Sequence, residues 1–174
     1  MTNIDELKNF SKDIQGKIFF DYNLKKTNWF NIGGIASVYF KPESLNELIS
    51  FLKRFGSKEK IFLLGAGSNI LINDGIFQGI VIKLGKKFSN ISQLSDTTLV
   101  AGSAATDRQV SEFACENHLG GFEFLSCIPG TIGGGLKMNS GCFDREFKDI
   151  LLSIQAVDNT CLLYTSPSPR DRVL

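Results

Sequence analysis

Two glycine-rich segments hold the residue types and spacing that could do chemistry. The first, residues 65–71, reads Gly-Ala-Gly-Ser-Asn-Ile-Leu and directly follows the apolar run at residues 61–64. Consecutive backbone N–H groups in such a tight loop can converge on an anion, and Ser68 and Asn69 add side-chain donors. This segment therefore predicts a binding site for a phosphate-bearing ligand.

The second segment, residues 121–135, holds five of the chain's 17 glycines. Pro129 pre-shapes the turn before the run Gly133–Gly135, and three successive glycines favour neither helix nor strand. Because glycine has no Cβ, a planar group can lie flat against its backbone, and we predict this for Gly133 and Gly134. A plain mobile loop is the less favoured alternative, because aromatic and aliphatic residues come directly before the glycines.

Two known phosphate-binding motifs are near misses here. The dinucleotide fingerprint Gly-x-Gly-x-x-Gly fits Gly65 and Gly67, but Ile70 takes the third glycine position and we expect a strand to follow. A P-loop would need lysine where Leu136 stands, although Gly130 and Gly135 have the correct spacing. A flavin dinucleotide with two separate contact segments remains, while a nucleoside triphosphate bound at residues 130–137 is the alternative.

Composition excludes several classes of protein. The 174 residues suffice for one domain or two small lobes with a core, and 43% are hydrophobic. With 19 basic and 18 acidic residues, we expect neither nucleic acid nor a membrane surface as partner. No signal peptide or membrane-length apolar run is visible, so we expect a cytoplasmic protein. We expect no metal site, because the four cysteines lack paired spacing and the single His118 is expected to end a helix.

The surrounding pattern predicts the elements that position these segments. Capping signals at Ser44 and Thr106 begin two helices, and a further helix is predicted near the N-terminus, ending near Gly16. We predict a β-α-β unit in which the strand at residues 61–64 is buried. The predicted strands are residues 36–41, 61–64, 70–72, 79–84, 91–94, 97–101 and 149–157.

Together these motifs resemble one enzyme family. The residues that carry the resemblance are Thr27–Gly34, Gly65–Leu71, Val100–Ala104, Gly121–Leu125, Ile128–Gly135 and Met138–Gly141. They are similar to the UDP-N-acetylenolpyruvoylglucosamine reductase family over residues 25–160. The Ile-Pro-Gly-Thr-Ile-Gly-Gly run with Met-Asn-x-Gly is close to diagnostic, whereas the Gly-x-Gly-Ser-Asn loop alone indicates the wider class of vanillyl-alcohol-oxidase-type flavoproteins.

The resemblance implies an α+β, two-lobed FAD-binding fold of the PCMH or vanillyl-alcohol-oxidase type, with FAD held between the lobes. We expect an N-terminal lead-in at residues 1–24, lobe 1 at 25–84 and lobe 2, incomplete, at 85–160. NADPH would reduce the flavin, and an enolpyruvyl UDP-sugar would become UDP-N-acetylmuramate in peptidoglycan synthesis. The alternative is the FAD-binding domain of another flavin oxidoreductase of this fold. The implied FAD-binding residues are Gly65, Ala66, Gly67, Ser68, Asn69, Ile70, Leu71, Ala101, Gly102, Pro129, Gly130, Thr131, Gly133, Gly134, Asn139 and Gly141.

The chain departs from the family pattern near its end. Nothing after Asp158 matches, so the family's catalytic Arg, Ser and Glu and most of its substrate domain cannot be placed, and we expect this chain alone to be inactive. Cys142-Phe143-Asp144 replaces the more usual Ala-Tyr-Gly, and we assign Phe143 no substrate role. Residues 161–174 resemble a translated sequencing adapter, so we treat them as a non-native tail; a genuine Ser/Pro-rich terminus is the alternative. We therefore expect the strand at residues 149–157 to have an unpaired edge.

Overall fold

A computed structural model describes residues 4–157 and 163–167, and the chain divides into two compact units, Met1–Phe88 and Ser89–Leu174. None of the helices in these described residues is long and apolar enough to cross a membrane. The helices are α1 (Ile4–Phe10), α2 (Leu45–Phe55), α3 (Asp107–Glu116) and α4 (Ile132–Met138). The strands are β1 (Lys17–Asn23), β2 (Ile35–Lys41), β3 (Ile61–Leu63), β4 (Ile76–Ile82), β5 (Ile91–Ser95), β6 (Thr98–Ala101), β7 (Gly141–Cys142), β8 (Arg145–Glu146), β9 (Ser153–Val157) and β10 (Leu163–Pro167).

The first unit is built on a four-stranded sheet in the order β1-β2-β4-β3. Strands β2 and β3 each run parallel to β4, whereas β1 pairs antiparallel with β2. Helix α2 packs on this sheet through Phe51 and Phe55, and the Phe51 ring stacks on Phe40 of β2 at 4.1 Å between centroids. The helix predicted to begin after Ser44 and the strand at 36–41 are confirmed, and their shared aromatic core explains why they form.

Strand β1 is the main element that the sequence prediction missed. Its residues alternate between exposed and half-buried positions, which is the two-residue period of a strand. The predicted N-terminal helix extends toward Gly16, whereas α1 ends at Phe10. Instead, the Glu47 side chain accepts hydrogen bonds from the backbone of Gln15 (2.8 Å), Gly16 (3.2 Å) and Glu43 (2.9 Å). Glu47 therefore anchors the lead-in to β1 through its side chain. The predicted capping signal at Ser44 is confirmed, because the Ser44 hydroxyl accepts from the Glu47 N–H.

The prediction of a buried strand at residues 61–64 is wrong in its burial. Strand β3 lies at the edge of the sheet, and Leu63 is 69% exposed, although Leu64 beyond it is buried. The predicted β-α-β unit exists, but β4 lies between its two strands. Residues 70–72 form no strand; the chain stays irregular from residue 64 until β4 begins at Ile76, three residues earlier than predicted.

The second unit packs α3 and α4 around one hydrophobic cluster that includes Val110, Phe124, Ile132 and Phe147. The capping box of Thr106 is formed, and the strands predicted at residues 91–94 and 97–101 are confirmed as β5 and β6, which pair antiparallel. His118 does follow the end of α3. It takes a positive φ of 57° while the N–H groups of His118 and Leu119 bond back into the last turn, as in a Schellman motif.

The glycine run itself departs from expectation, because Gly133–Gly135 lie inside α4. Helix propensity disfavours this, and tertiary packing overrides it. A Cβ on Gly135 would lie 2.3 Å from the Phe147 ring, and one on Gly133 would lie 3.0 Å from the Ser103 carbonyl oxygen. Side chains at these two positions would hold the helix away from its neighbours, so the glycines permit the close approach.

The last strands differ from the sequence prediction in extent and pairing. Strand β9 begins at Ser153 rather than at residue 149, and β10 pairs with it antiparallel. Residues 163–167, which the sequence prediction treats as part of a foreign tail, therefore pair with β9 on one side. In this two-stranded sheet the other edge of β9 has no strand partner among the described residues, as expected. The Tyr-Thr pair at 164–165 has high strand propensity, which is consistent with this pairing. The remaining residues of the predicted tail lie outside the described part of the chain.

Candidate functional site

The loop from Gly65 to Leu71 presents a series of unused backbone donors. It follows β3 in the first unit and contains no helix or strand. Within the described residues, none of its backbone N–H groups donates a hydrogen bond, and neither the Ser68 nor the Asn69 side chain has a partner. Unsatisfied amides are costly when they are shielded from water, and Gly67 is buried. A run of free donors of this kind is suited to an anion with several oxygens.

A second segment supports this loop from one side. The Trp29 N–H donates to the Gly67 carbonyl at 3.0 Å, and a Cβ on Gly67 would lie 2.4 Å from the Thr27 carbonyl oxygen and 2.7 Å from Asn28 Cα. Gly67 also has φ of 76°, where side chains are strained. The structure therefore brings together the motifs at 27–34 and 65–71, and it shows that Gly67 is required for their packing.

Asn28 lies in the segment that supports the loop, and the sequence analysis did not single it out as an individual residue. It is 6% exposed, and its amide nitrogen donates to the carbonyls of Leu24 (3.0 Å) and Ile32 (2.7 Å). Its Oδ1 is buried and has no partner in the described part of the chain. The sequence signal was its place between Thr27 and Trp29 in the recognised motif, since an amide next to large aromatic residues often has a buried structural role.

An apolar cavity of about 350 Å³ adjoins the loop within the first unit. Ile70 and Leu71, both predicted as cofactor-binding, are among its lining residues, and Leu71 is 75% exposed. An apolar cavity beside a set of polar donors is the usual composition of a small-molecule binding site. The remaining lining residues are Leu24, Phe62, Leu64, Ile72, Asn73, Asp74, Gly75, Ile76, Phe77 and Val81.

In the second unit, backbone hydrogen bonds join the predicted residues around Gly102 to those around Thr131. Gly133 N–H donates to the Ser103 carbonyl and Ile132 N–H to the Ala105 carbonyl, each at 2.9 Å. Thr106 and Thr131 form an isolated antiparallel bridge next to these bonds. The predicted segments 101–102 and 129–134 are therefore neighbours, connected through residues 103–106, which the sequence prediction did not include.

The glycines of this region are not equivalent. Gly130 faces Asp107, because a Cβ on it would lie 2.5 Å from the Asp107 Oδ2. The space beside Gly133 is likewise filled by Ser103, and the space beside Gly135 by the Phe147 ring. A Cβ on Gly134 would meet only the Thr131 hydroxyl oxygen, at 3.4 Å. Packing within the protein therefore does not explain why position 134 of the run lacks a side chain.

Asp107 is an unusual group beside this region. It is 0% exposed, and neither carboxyl oxygen has a hydrogen-bond partner in the described residues. Burial raises the pKa of Asp107 to about 6. No feature of the sequence predicts this burial, since an acidic residue in the first turn of a helix is ordinarily solvent-exposed and favoured by the helix dipole.

Asn139 and Gly141, also predicted to bind cofactor, already have protein partners. The Asn139 amide nitrogen donates to the Glu146 carboxylate at 2.8 Å, and its oxygen accepts from the Lys148 backbone at 3.0 Å. Asn139 also ends α4 with φ of 47°, a conformation that asparagine tolerates. A Cβ on Gly141 would lie 2.4 Å from the Arg145 carbonyl oxygen. The structure thus explains both residue types by packing, and their role toward a cofactor stays a prediction.

The start of the second glycine segment lines an open cavity of about 610 Å³ with Phe124, Ser126, Phe143 and Arg145. Both Glu123 carboxylate oxygens accept from the Gly121 N–H, at 2.9 and 3.0 Å. Backbone hydrogen bonds from Glu123 itself and from Gly121, together with the nearby Arg145, hold the pKa of Glu123 below its usual range. No group of three His, Cys, Asp or Glu side chains in the described part of the chain could hold a metal ion.

Comparison with known proteins places these features in a family. The FAD binding domain family matches residues 36–164, so the chain belongs to that family of FAD-binding proteins. A UDP-N-acetylenolpyruvoylglucosamine reductase from Pelagibacter ubique (strain HTCC1062) is 61% identical over 167 residues, which cover 96% of this chain and 55% of that protein. The chain spans about half the length of the curated relatives it matches.

Solved structures confirm the fold. A crystal structure of UDP-N-acetylenolpyruvylglucosamine reductase from Thermus caldophilus superposes with a TM-score of 0.71 at 24% identity, covering 90% of this chain and 54% of that one. The 6-hydroxy-D-nicotine oxidase from Arthrobacter nicotinovorans gives a TM-score of 0.61 at 16% identity, covering 92% of this chain and 37% of the oxidase. These likenesses confirm the predicted fold class. The resemblance stated from the motifs is supported by the 61% identity to the Pelagibacter ubique protein.

Proposed function

We propose that the chain is the FAD-binding portion of an NADPH-dependent reductase that converts an enolpyruvyl UDP-N-acetylglucosamine to UDP-N-acetylmuramate. The observation that carries the proposal is the run of unused backbone donors from Gly65 to Leu71 in a chain of the FAD-binding family. The choice of reaction is supported by the 61% identity to a relative named for it. The setting, peptidoglycan synthesis in the cytoplasm, follows from the same resemblance and is part of the proposal.

We assign the FAD diphosphate to the loop in the first unit. Its backbone N–H groups, with the Ser68 and Asn69 side chains, offer several donors to the phosphate oxygens, and charge-assisted hydrogen bonds of this type are the strong ones. Ile70 and Leu71 would supply apolar contacts from the adjoining cavity. Gly65, Ala66 and Gly67 act by letting the backbone approach closely, and Gly67 additionally holds the loop on residues 27–28.

We assign the isoalloxazine to the region around Gly134 in the second unit. The absent side chain of Gly134 leaves its backbone accessible, whereas Gly130 and Gly133 are held by Asp107 and Ser103. Ala101, Gly102, Pro129 and Thr131 lie on the two segments joined there by backbone hydrogen bonds. FAD, when bound, supplies hydride-transfer chemistry, and the residues of this chain bind and orient it.

The competing candidate is the FAD-binding domain of a different flavin oxidoreductase of this fold. The structural likeness to the nicotine oxidase shows only that this fold serves other flavoproteins, because the identity is 16%. An assay of NADPH oxidation dependent on the enolpyruvyl UDP-sugar, carried out on the longer parent protein, decides between the two. Oxidation that needs the UDP-sugar supports the reductase, and oxidase activity without it supports the alternative.

The binding assignment can be tested on this chain by a single change of charge. Asn69→Asp places a carboxylate among the proposed diphosphate donors, where it repels phosphate. We expect FAD affinity, measured by quenching of flavin fluorescence, to fall at least about tenfold, which corresponds to ~1.4 kcal/mol. Because Asn69 is exposed and its side chain has no hydrogen-bond partner in the described residues, the fold should be unaffected.

Asn46→Asp is the matched control. It introduces the same charge at an exposed position in the first turn of α2, where an acidic residue is favoured, and it should leave FAD affinity unchanged. Riboflavin, which lacks both phosphates, should bind wild type and Asn69→Asp equally. Equal loss of FAD affinity in both variants, or equal loss of riboflavin and FAD in Asn69→Asp, would contradict the diphosphate assignment.

A further inference from the structure

Two cysteines that are distant in sequence meet in the second unit. Cys127 is the last residue of a 3-10 turn at Glu123–Cys127, and Cys142 lies in β7, which packs against that turn. The two thiols are within hydrogen-bonding reach of each other. The Cys142 side chain also packs against the hydrophobic cluster of the unit, which includes Phe124 and Leu125 of the same turn.

The two thiols differ in accessibility. Cys127 is exposed, Cys142 is partly buried, and neither forms a disulfide. Partial burial and the adjacent Cys127 raise the pKa of the Cys142 thiol. Cys127 is therefore the thiol that an oxidant in solvent reaches first, and the partly buried Cys142 is the thiol next to it. The thiolate is the nucleophilic form of cysteine, and an accessible thiolate beside a second thiol is the arrangement found in redox-sensitive pairs.

We propose that Cys127 and Cys142 form a peroxide-sensitive dithiol that closes to an intramolecular disulfide. The Cys127 thiolate attacks one peroxide oxygen, the O–O bond breaks, and one water leaves after protonation, giving a sulfenic acid. The Cys142 sulfur then attacks the Cys127 sulfur, the S–O bond breaks, and a second water leaves. In total, two thiols and one hydrogen peroxide give one disulfide and two waters, and the two sulfurs supply the two electrons that reduce the peroxide.

The effect of the disulfide depends on the residues that lie between the two cysteines. The disulfide closes a loop over residues 128–141, the segment that contains Pro129, the glycine run of α4 and Asn139. A covalent closure restricts the conformations of such a segment when it unfolds or opens. Oxidation would thus fix the part of the second unit that holds Gly134, whichever ligand binds there, so the inference does not depend on the identity of the substrate.

The test uses the whole chain with Cys115→Ser and Cys161→Ser, so that only the proposed pair remains. After treatment with hydrogen peroxide, unreacted thiols are alkylated at low pH and the protein is digested with trypsin under non-reducing conditions. We expect both thiols to be lost together and the peptides 109–137 and 138–145 to appear joined, with the mass of two hydrogens missing. Reduction should separate the two peptides and restore both thiols.

Two further measurements test whether Cys127 and Cys142 react as a pair. In Cys142→Ser on the same background, Cys127 should stop at sulfenic acid, trapped by dimedone, because no resolving thiol remains. In the wild-type chain, the exposed Cys115 of α3 is the internal comparison, and it should be left unpaired while the 127–142 bond forms. Independent oxidation of the two cysteines, or a disulfide that joins two chains on a non-reducing gel, would overturn the proposal.

Discussion

The two glycine-rich segments of this chain resemble each other in composition and differ in use. In the loop from Gly65 to Leu71, the backbone donors have no partners in the described residues, and two polar side chains remain free beside them. In the run from Gly130 to Gly135, three of the four glycines are in close contact with protein atoms, and the run continues as a helix. The first segment leaves donors unused for a ligand, whereas the second mainly uses glycine to bring chain segments together.

The comparison shows that the role of a glycine can be inferred from the atoms that a Cβ at its position would contact. Gly67 illustrates this within the first loop, because its Cβ would collide with the Thr27 carbonyl and its φ is positive. A valine there would displace residues 27–28 whether or not a diphosphate lies nearby, so loss of FAD in that variant has two explanations. Gly134 is the converse case within the second segment, since its missing Cβ meets little protein.

Two alanine substitutions in α4 test most directly whether these glycines have different roles. Gly135→Ala places a methyl group against the buried Phe147 ring, and we expect the free energy of unfolding to fall by about 1–3 kcal/mol through overpacking. Gly134→Ala gains helix propensity without a serious contact, so its stability should rise by up to about 1 kcal/mol. Urea unfolding followed by circular dichroism measures both. Equal effects at the two positions would contradict the division of roles among these glycines.

A second prediction concerns Asp107, which packs against the glycine segment at Gly130. Its pKa is raised from 3.8 to about 6 in the folded protein, so between these values the folded state binds a proton that the unfolded state does not. Its contribution to stability is therefore fully present below about pH 4 and is lost as pH rises through 6. Asp107→Asn removes this dependence, because the amide does not ionise.

The measurement is the difference in unfolding free energy between Asp107→Asn and wild type at several values from pH 4 to pH 7. We expect the difference to shift in favour of the variant as pH rises, by on the order of 2 kcal/mol in total. Glu6, Glu123 and Glu146 have lowered pKa values and oppose the wild-type slope, but they are present in both proteins and cancel in the difference. A difference that does not change with pH would show that Asp107 stays ionised when buried.

The sequence predicted the elements that have a local signal and missed those set by distant contacts. Helix α3 was predictable, because Thr106 and Gln109 form their capping box within one turn. Strand β1 was missed even though its alternation was readable, since it needs β2 as a partner and its anchor, Glu47, is over 30 residues away. The placement of the glycine run in α4 depends on Phe147, and the burial of Asp107 depends on Gly130. Neither contact has a sequence signature.

The smallest expected effect, and the one closest to function, comes from a larger side chain at Gly134. Gly134→Leu occupies the space that we assign to the isoalloxazine, while leucine itself is a good helix former. We expect FAD affinity to fall roughly tenfold, or ~1.4 kcal/mol, and the flavin absorption spectrum of the remaining complex to shift. The exposed Lys137→Leu in the same helix is the control for added bulk, and it should leave the spectrum unchanged. If Gly134→Leu retains wild-type affinity and spectrum in a folded protein, the ring does not contact α4 at this position. The two glycine segments would then differ completely, with ligand binding confined to the first.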